Sequence, residues 1–281
     1  MEKQSPWPVT LLLMPGIGYL TLFFGIPVSW SVWGSFQGSG DGGLSLEYYT
    51  TIFTNKLYRD GLFFSLYLAL VPLVTSLAIS IPLAALLQKD FHGKSLFMVL
   101  YKIPLVVPSI VAALMVMLML DRGGMSHRIA DMAGMGWPRL IRDPWAIGAI
   151  VTSTWKNVPF MTLIIGGSMA SINKEILHAG RLLGATWLSV FTKIQVPLAL
   201  PGITAATLLT FIGSMGGFAI PNLLGPVYPL PLSVHMYELM TYGEWEQVFA
   251  IGSFLSAISV LVLLTYYRIT HKTHKALLAG R

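Results

Sequence analysis

The sequence predicts an all-α, polytopic membrane protein with six transmembrane helices. Two observations carry that prediction. Hydrophobic residues make up 54% of the 281-residue chain and charged residues only 11%, with a mean hydropathy of +0.69. Soluble domains carry about 25% charged residues, and a water-soluble fold of this length cannot hide so much apolar surface. Apolar runs recur near 9–35, 61–88, 95–120, 144–170, 201–224 and 246–268, each longer than the roughly 20 residues that cross a bilayer. No soluble module interrupts them, so residues 1–281 read as a single transmembrane domain.

Taken in order, the first run is too long for a signal-peptide core and lacks a small-x-small cleavage site, so it reads as an uncleaved span. The loop 36–60 is glycine-rich (Gly38, Gly40, Gly42, Gly43) and then amphipathic over Leu46–Tyr58. The loop 121–143 is polar and predicts a short interfacial helix. The fourth run contains Lys156, the one charge inside a span. The fifth is interrupted by Gly213, Gly216, Gly217 and Pro221; such residues persist at membrane depth where backbone is buried in protein or lines a cavity. The spacing Gly213-x-x-x-Gly217 predicts close helix packing. The tail, with His271, Lys272, His274, Lys275 and Arg281, reads as a solvated cytoplasmic anchor.

Six spans put both termini on one side, and basic residues choose which. Lys3, the 89–102 loop, the 171–200 loop and the tail carry eleven Lys and Arg against three acids, a net of +8. The opposite loops carry six against nine, a net of −3. The first side is therefore cytoplasmic. The same distribution accounts for the pI near 9.5 without a nucleic-acid partner; lipid is the partner of the spans.

The composition also excludes chemistry. There is no cysteine, hence no disulfide or thiolate metal site. The six histidines form no metal-ligand spacing, and no nucleophile–base pair is visible. Gly93-Lys94-Ser95 matches the end of a phosphate-binding loop, but position 88 is Gln where that motif needs Gly. The chain is expected to bind no cofactor or metal and to be no enzyme.

The most informative segment is the cytoplasmic loop. Leu177, Leu182, Leu183, Trp187, Val190 and Phe191 recur near helical spacing, predicting one helix over 174–191. Asn173 is placed to cap it, with Glu175 in the first turn favouring the helix dipole. Gly184, in the middle, asks for a turn or a close backbone approach, and Pro197 and Pro201 return the chain to the membrane. A short apolar-faced helix on this side suits a groove of a partner.

His178-Ala179-Gly180, Gly184, Ile194 and Val196-Pro197 keep the spacing of the Glu-Ala-Ala loop of type I ABC importer permeases, and the chain resembles that family from about 60 to 268. Leu183-Gly184-Ala185, the aromatic pair Trp155 and Phe160, Pro201-Gly202-Ile203 and Phe218-x-Ile220-Pro221-x-Leu223-Leu224-Gly225 resemble its spermidine/putrescine branch. The resemblance implies a MetI-like core and an ATP-driven importer of a small polar solute of polyamine type. The same machinery serves phosphonates, other organic anions, iron and sugars, and an ATP-independent secondary transporter is the remote alternative. It implies a second permease subunit, identical or different, two cytoplasmic ATPases that hold ATP and Mg2+, and an extracytoplasmic solute-binding protein. It also implies that Glu175, His178, Ala179, Gly180, Arg181, Gly184, Ala185, Trp187, Ile194 and Pro197 form the ATPase-coupling surface. His178 and Gly180 depart from the family's Glu and Ala. For the translocation path, the residues to expect are Trp155, Lys156, Asn157, Met215, Phe218 and Asn222. Lys156 there would repel a cation, and no span carries a carboxylate to attract one.

Overall fold

The computed structural model describes residues 7–38 and 43–279, with side chains described for 11–38 and 43–268. Met1 to Pro6, which include Glu2 and Lys3, and Gly40 and Gly42 of the glycine-rich loop lie outside the described residues. So do Arg281 and the side chains of the tail's His271, Lys272, His274 and Lys275.

Sixteen α-helices are described. They are α1 (Trp7–Leu20), α2 (Ile26–Gly34), α3 (Glu47–Thr54), α4 (Lys56–Leu87), α5 (Lys94–Leu100), α6 (Ile103–Val106), α7 (Ser109–Leu120) and α8 (Met125–Met132). They continue with α9 (Ile147–Ala170), α10 (Lys174–Leu182), α11 (Trp187–Val190), α12 (Val196–Leu198), α13 (Leu200–Met215), α14 (Ala219–Leu224), α15 (Leu232–Tyr242) and α16 (Trp245–Ala279). Wider π-type turns join α1 to α2 (Thr21–Gly25) and α11 to α12 (Phe191–Gln195). Among the described residues the one β-type pairing is an isolated bridge between Gln37 and Leu44.

Four helical segments are long and apolar enough to cross a bilayer: Leu11–Gly34, Lys56–Leu87, Ser109–Met132 and Trp245–Arg268. Trp187–Leu198 and Leu200–Met215 form a fifth if counted together, bent by 66°. Their side chains face outward as lipid-facing surfaces do; Leu12 is 81% exposed and Trp30 70%.

The expected run 95–120 is not one helix, because Pro104 and Pro108 break it into α5, α6 and α7. The expected run 201–224 stops at Met215 and restarts as α14. The run 144–170 is a continuous helix of 24 residues, α9, but it is not among the strongly apolar helices. Thr152, Ser153, Thr154, Lys156 and Asn157 lower its hydropathy. The amphipathic stretch Leu46–Tyr58 is α3 followed by the start of α4, with Asn55 extended between them.

The chain forms two compact units. The first comprises residues 1–59 and 235–257. Within it the ring of Phe249 covers Gly34, where an added Cβ would lie 2.6 Å from Phe249 Cδ2. Ser35 and Tyr49 share a hydrogen bond of 2.7 Å, and Phe53 meets Phe254 edge-on. Tyr58 donates to Gln247 Oε1 at 3.0 Å and packs against the buried His235 ring.

The second unit comprises residues 60–234 and 258–281. A run of polar contacts fixes α4 beside α9. Tyr67 donates to the carbonyl of Trp145 (3.0 Å), Thr75 and Thr154 share a bond of 2.7 Å, Ser80 donates to the carbonyl of Val158 (3.1 Å), and Gln88 to that of Gly166 (3.2 Å). Partners rise together along both helices, so α4 and α9 run parallel. That is the direction that two spans separated by one crossing must share.

α9 packs most extensively on α13. Gly202 makes this possible, since a Cβ there would lie 2.2 Å from Ser168 Cβ. The expected packing glycine, Gly213, meets nothing within 4 Å among the described residues of this chain. α14 lies against α7, around a core that includes Phe64, Leu68, Ala113, Ile141 and Leu224. Buried Asp143 accepts from the amides of Trp145 and Ile147 and holds the left-handed Ala146 at the start of α9. The short helix expected in 121–143 is α8.

Candidate functional site

Two places gather the residues singled out in the sequence. The first is the loop at 171–200. Asn173 caps α10 by accepting from the Glu175 amide at 2.9 Å, and Glu175 and Arg181 sit in its first and last turns as the dipole favours. The expected single helix over 174–191 is a helix pair instead. Gly184 adopts φ +83, its amide bonds the Arg181 carbonyl at 3.0 Å, and the Ala185 amide bonds the Gly180 carbonyl at 3.1 Å. This is a Schellman closure with glycine at the left-handed position. Thr186 then accepts from the Ser189 amide and opens α11.

Glu175, His178, Ala179, Gly180 and Arg181 therefore lie on α10, Gly184 and Ala185 in the turn, Trp187 on α11, Ile194 in the following π-type turn and Pro197 in α12. Gly180 rests against Ile194. At the closing turn Leu182 and Leu183 are 89% and 88% exposed. A recess of about 230 Å3 behind α10 is lined by Lys89, Lys174, His178, Arg181 and Trp187, among others. The Lys89 ammonium lies over the Trp187 ring, 4.2 Å from its centre, and Trp187 stacks on Phe191.

The second place is a cavity of about 290 Å3 inside the second unit. Helical spacing builds it from two sides: Ser153, Lys156, Asn157 and Phe160 from α9, and Thr210, Gly213, Ser214 and Gly217 on and just beyond α13. Phe218 and the first turn of α14 complete the wall. The Lys156 ammonium donates to the carbonyls of Val107 (2.5 Å) and Pro104 (3.2 Å), which are freed where α6 ends before Pro108. It thus pins the break between α6 and α7. Asn157 Nδ2 and Thr210 Oγ1 are buried without a hydrogen-bond partner among the described residues.

Of the expected path residues, Lys156, Asn157 and Phe218 line this cavity together. Trp155 lines a separate apolar recess of about 680 Å3 with Ile79, Tyr101 and Pro159; Met215 is buried, and Asn222 is exposed on α14. As path residues, sequence reading missed Ser153, Phe160, Thr210 and Ser214. Carrying the helical period outward from Lys156 would have found the first two. Among the described residues no cluster of three or more His, Asp or Glu is placed to hold a metal.

A polytopic helical scaffold with a polar cavity between spans and a capped helix pair on one side defines an integral-membrane transport subunit. Residues 76–275 match the model of the family described as binding-protein-dependent transport system inner membrane component, and the chain belongs to that family. It is a transport component and not an enzyme. It is 27% identical over 268 residues to the spermidine/putrescine transport system permease protein PotB of Escherichia coli (strain K12), covering 92% of this chain and 96% of that protein. It is 28% identical over 228 residues to the molybdenum transport system permease protein ModB of Haemophilus influenzae, covering 76% and 95%. In fold it resembles a chain of a bacterial ABC transporter involved in the import of the acidic polysaccharide alginate. That match has a TM-score of 0.82 at 18% identity and covers 95% of this chain and 96% of the other.

Proposed function

We propose that the chain is the membrane-spanning half of an ATP-driven importer for a small polar solute, crossing the inner membrane six times with both termini in the cytoplasm. In this reading α9, too polar to count as a span by hydropathy, crosses with its polar side inward, and α13, which follows the 66° bend, enters as the fifth span. Residues 171–200 form the coupling loop. A partner ATPase, loaded with ATP and Mg2+, receives α10 and the exposed Leu182 and Leu183. A second permease subunit completes the path, a second ATPase the motor, and an extracytoplasmic binding protein delivers the solute.

The observation that carries this reading is the family match extending through a loop whose helix ends in two fully exposed leucines. Solvent-facing leucines in a cytoplasmic loop suit a protein groove. The likeness to a transporter solved in complex with a periplasmic protein supports the delivery partner. Names among the relatives support a polyamine as the solute, and also molybdenum, so the choice falls to the chemistry of the cavity.

The test is purification of the full chain from its native membrane through an affinity tag. An ATPase subunit in the preparation and ATP-dependent uptake in proteoliposomes are expected. Uptake by the chain alone, independent of ATP, would make it a secondary transporter.

A further inference from the structure

We infer that the cavity between α9 and α13 is a subsite for a small, oxygen-rich anion, of the carboxylate, phosphonate or inorganic oxyanion class, and not for a polyamine. The inference rests on reading the chain as a permease and names what that permease carries.

The cavity wall carries one cation, Lys156, among neutral hydroxyl and amide groups. The Lys156 ammonium has three hydrogens and spends two on the carbonyls of Val107 and Pro104. The Asn157 amide nitrogen and the Thr210 hydroxyl are buried on the same cavity with no partner among the described residues. Thr210 as a whole is 4% exposed. Buried polar groups in folded proteins are almost always satisfied, and an occupant that accepts hydrogen bonds is one that could serve both of these.

Acceptors of full charge are missing from the wall. No Asp or Glu lines the cavity. Of the second unit's carboxylates, Asp143 is engaged on the amides at the start of α9 and Asp60 with the Tyr228 hydroxyl. A polyamine would bring several ammonium groups beside Lys156 with nothing to neutralise them. An oxyanion would take a third bond from Lys156, and small side-chain rotations of Asn157 and Thr210 would turn their buried polar atoms toward it. Such charge-assisted bonds are the stronger kind.

The space fits a small solute. The volume of about 290 Å3 equals that of roughly ten water molecules at about 30 Å3 each. Gly213 leaves the wall bare, since a Cβ there would meet nothing within 4 Å.

The experiment uses the full chain with the subunits that accompany it from the membrane, titrated calorimetrically with molybdate and methylphosphonate, and separately with putrescine and spermidine. Saturable binding of at least one anion is expected, with no competition from either polyamine. Lys156→Gln and Thr210→Val should each weaken it by about tenfold, the ratio that loss of one bond to a charged group carries. Thr210→Val keeps shape and removes an unpartnered hydroxyl, so it is expected to fold even if Lys156→Gln loosens the α6–α7 break. Polyamine binding without anion binding, no binding of any of the four probes, or anion binding undiminished in both variants would overturn the subsite. A preparation that contains the ATPase yet gives those results overturns the subsite alone. One without any ATPase overturns the importer reading.

Discussion

Gly180 and Ile194 touch through a missing side chain: a Cβ on Gly180 would lie 2.9 Å from Ile194 Cδ1 and 3.5 Å from Val190 Cγ2. Where the resembled loop pattern has alanine, this chain has glycine, and α10 settles onto the next turn of the loop. The obstructing atom is the end of a flexible side chain. Gly180→Ala should therefore cost under about 1 kcal/mol and leave uptake near normal. Gly180→Phe should lift α10 off Ile194 and abolish uptake while the protein still inserts. Uptake assays beside membrane-fraction immunoblots separate the two; full uptake by Gly180→Phe would show that this contact has no part in coupling.

Gly184 supplies a different test, because its role is conformational. At φ +83 an L-residue pays roughly 1–2 kcal/mol for the left-handed region. Gly184→Ala should fray the closing turn and reduce uptake, and Gly184→Asp should eliminate it by adding charge beside Leu182 and Leu183. Recovery of ATPase with the tagged chain should fall in parallel. Unchanged recovery and uptake in Gly184→Asp would argue against docking through this turn.

The α9–α13 contact at Gly202 and Ser168 should be among the least tolerant in the second unit. A Cβ at 2.2 Å from another Cβ has no room, so Gly202→Val is expected to destabilise by about 1–3 kcal/mol, the usual penalty for overpacking. Thermal unfolding in detergent measures it. Ser168→Gly should rescue much of the loss in Gly202→Ala; absence of rescue would place the strain elsewhere.

His235 gives the first unit a pH dependence. Burial disfavours its charged form and pushes its pKa below the ordinary histidine value, with Glu238 at 3.4 Å opposing in part. A lowered folded-state pKa means that the unfolded chain binds the proton more readily. Stability from this site is therefore full above the unfolded value of about 6.5, falls as pH drops through it, and levels off below the folded pKa. Tyr58 lies against the ring and Glu244 beside Tyr58, so the comparison needs both kept intact. His235→Gln should flatten unfolding midpoints between about pH 7 and pH 5 relative to wild type; the same slope in both proteins would remove His235 as the cause.

The crossing elements were legible where apolar runs are long and uniform, as in α4 and α16. They were less legible where polar groups are shared between helices. α9 needs Thr154 and Lys156 as partners for Thr75 and the Pro104 and Val107 carbonyls, and a hydropathy average counts those partners as losses. The turn at Gly184 was visible as an oddity in a helical pattern, but periodicity runs through it, so one helix was expected where there are two. In the cavity the charged and aromatic markers Lys156 and Phe218 stood out. Thr210 and Ser214 did not, since hydroxyls on a span usually bond their own backbone, and only packing reveals which one is left without a partner.

The hydroxyl and amide contacts between α4 and α9 give the second unit a strut. From Tyr67 to Gln88 they span 21 residues, about 32 Å at about 1.5 Å per residue, close to the thickness of a bilayer's hydrocarbon core. Just past the Gln88 end of that strut, Lys89 is seated on the Trp187 ring. Two parallel helices clamped at four heights do not shear past one another easily. A displacement applied at Trp187 therefore travels as a rigid push to the far end near Tyr67 and Trp145, and the give has to come from the joints: the Pro104–Pro108 break, the 66° bend before α13, and the gap between α13 and α14.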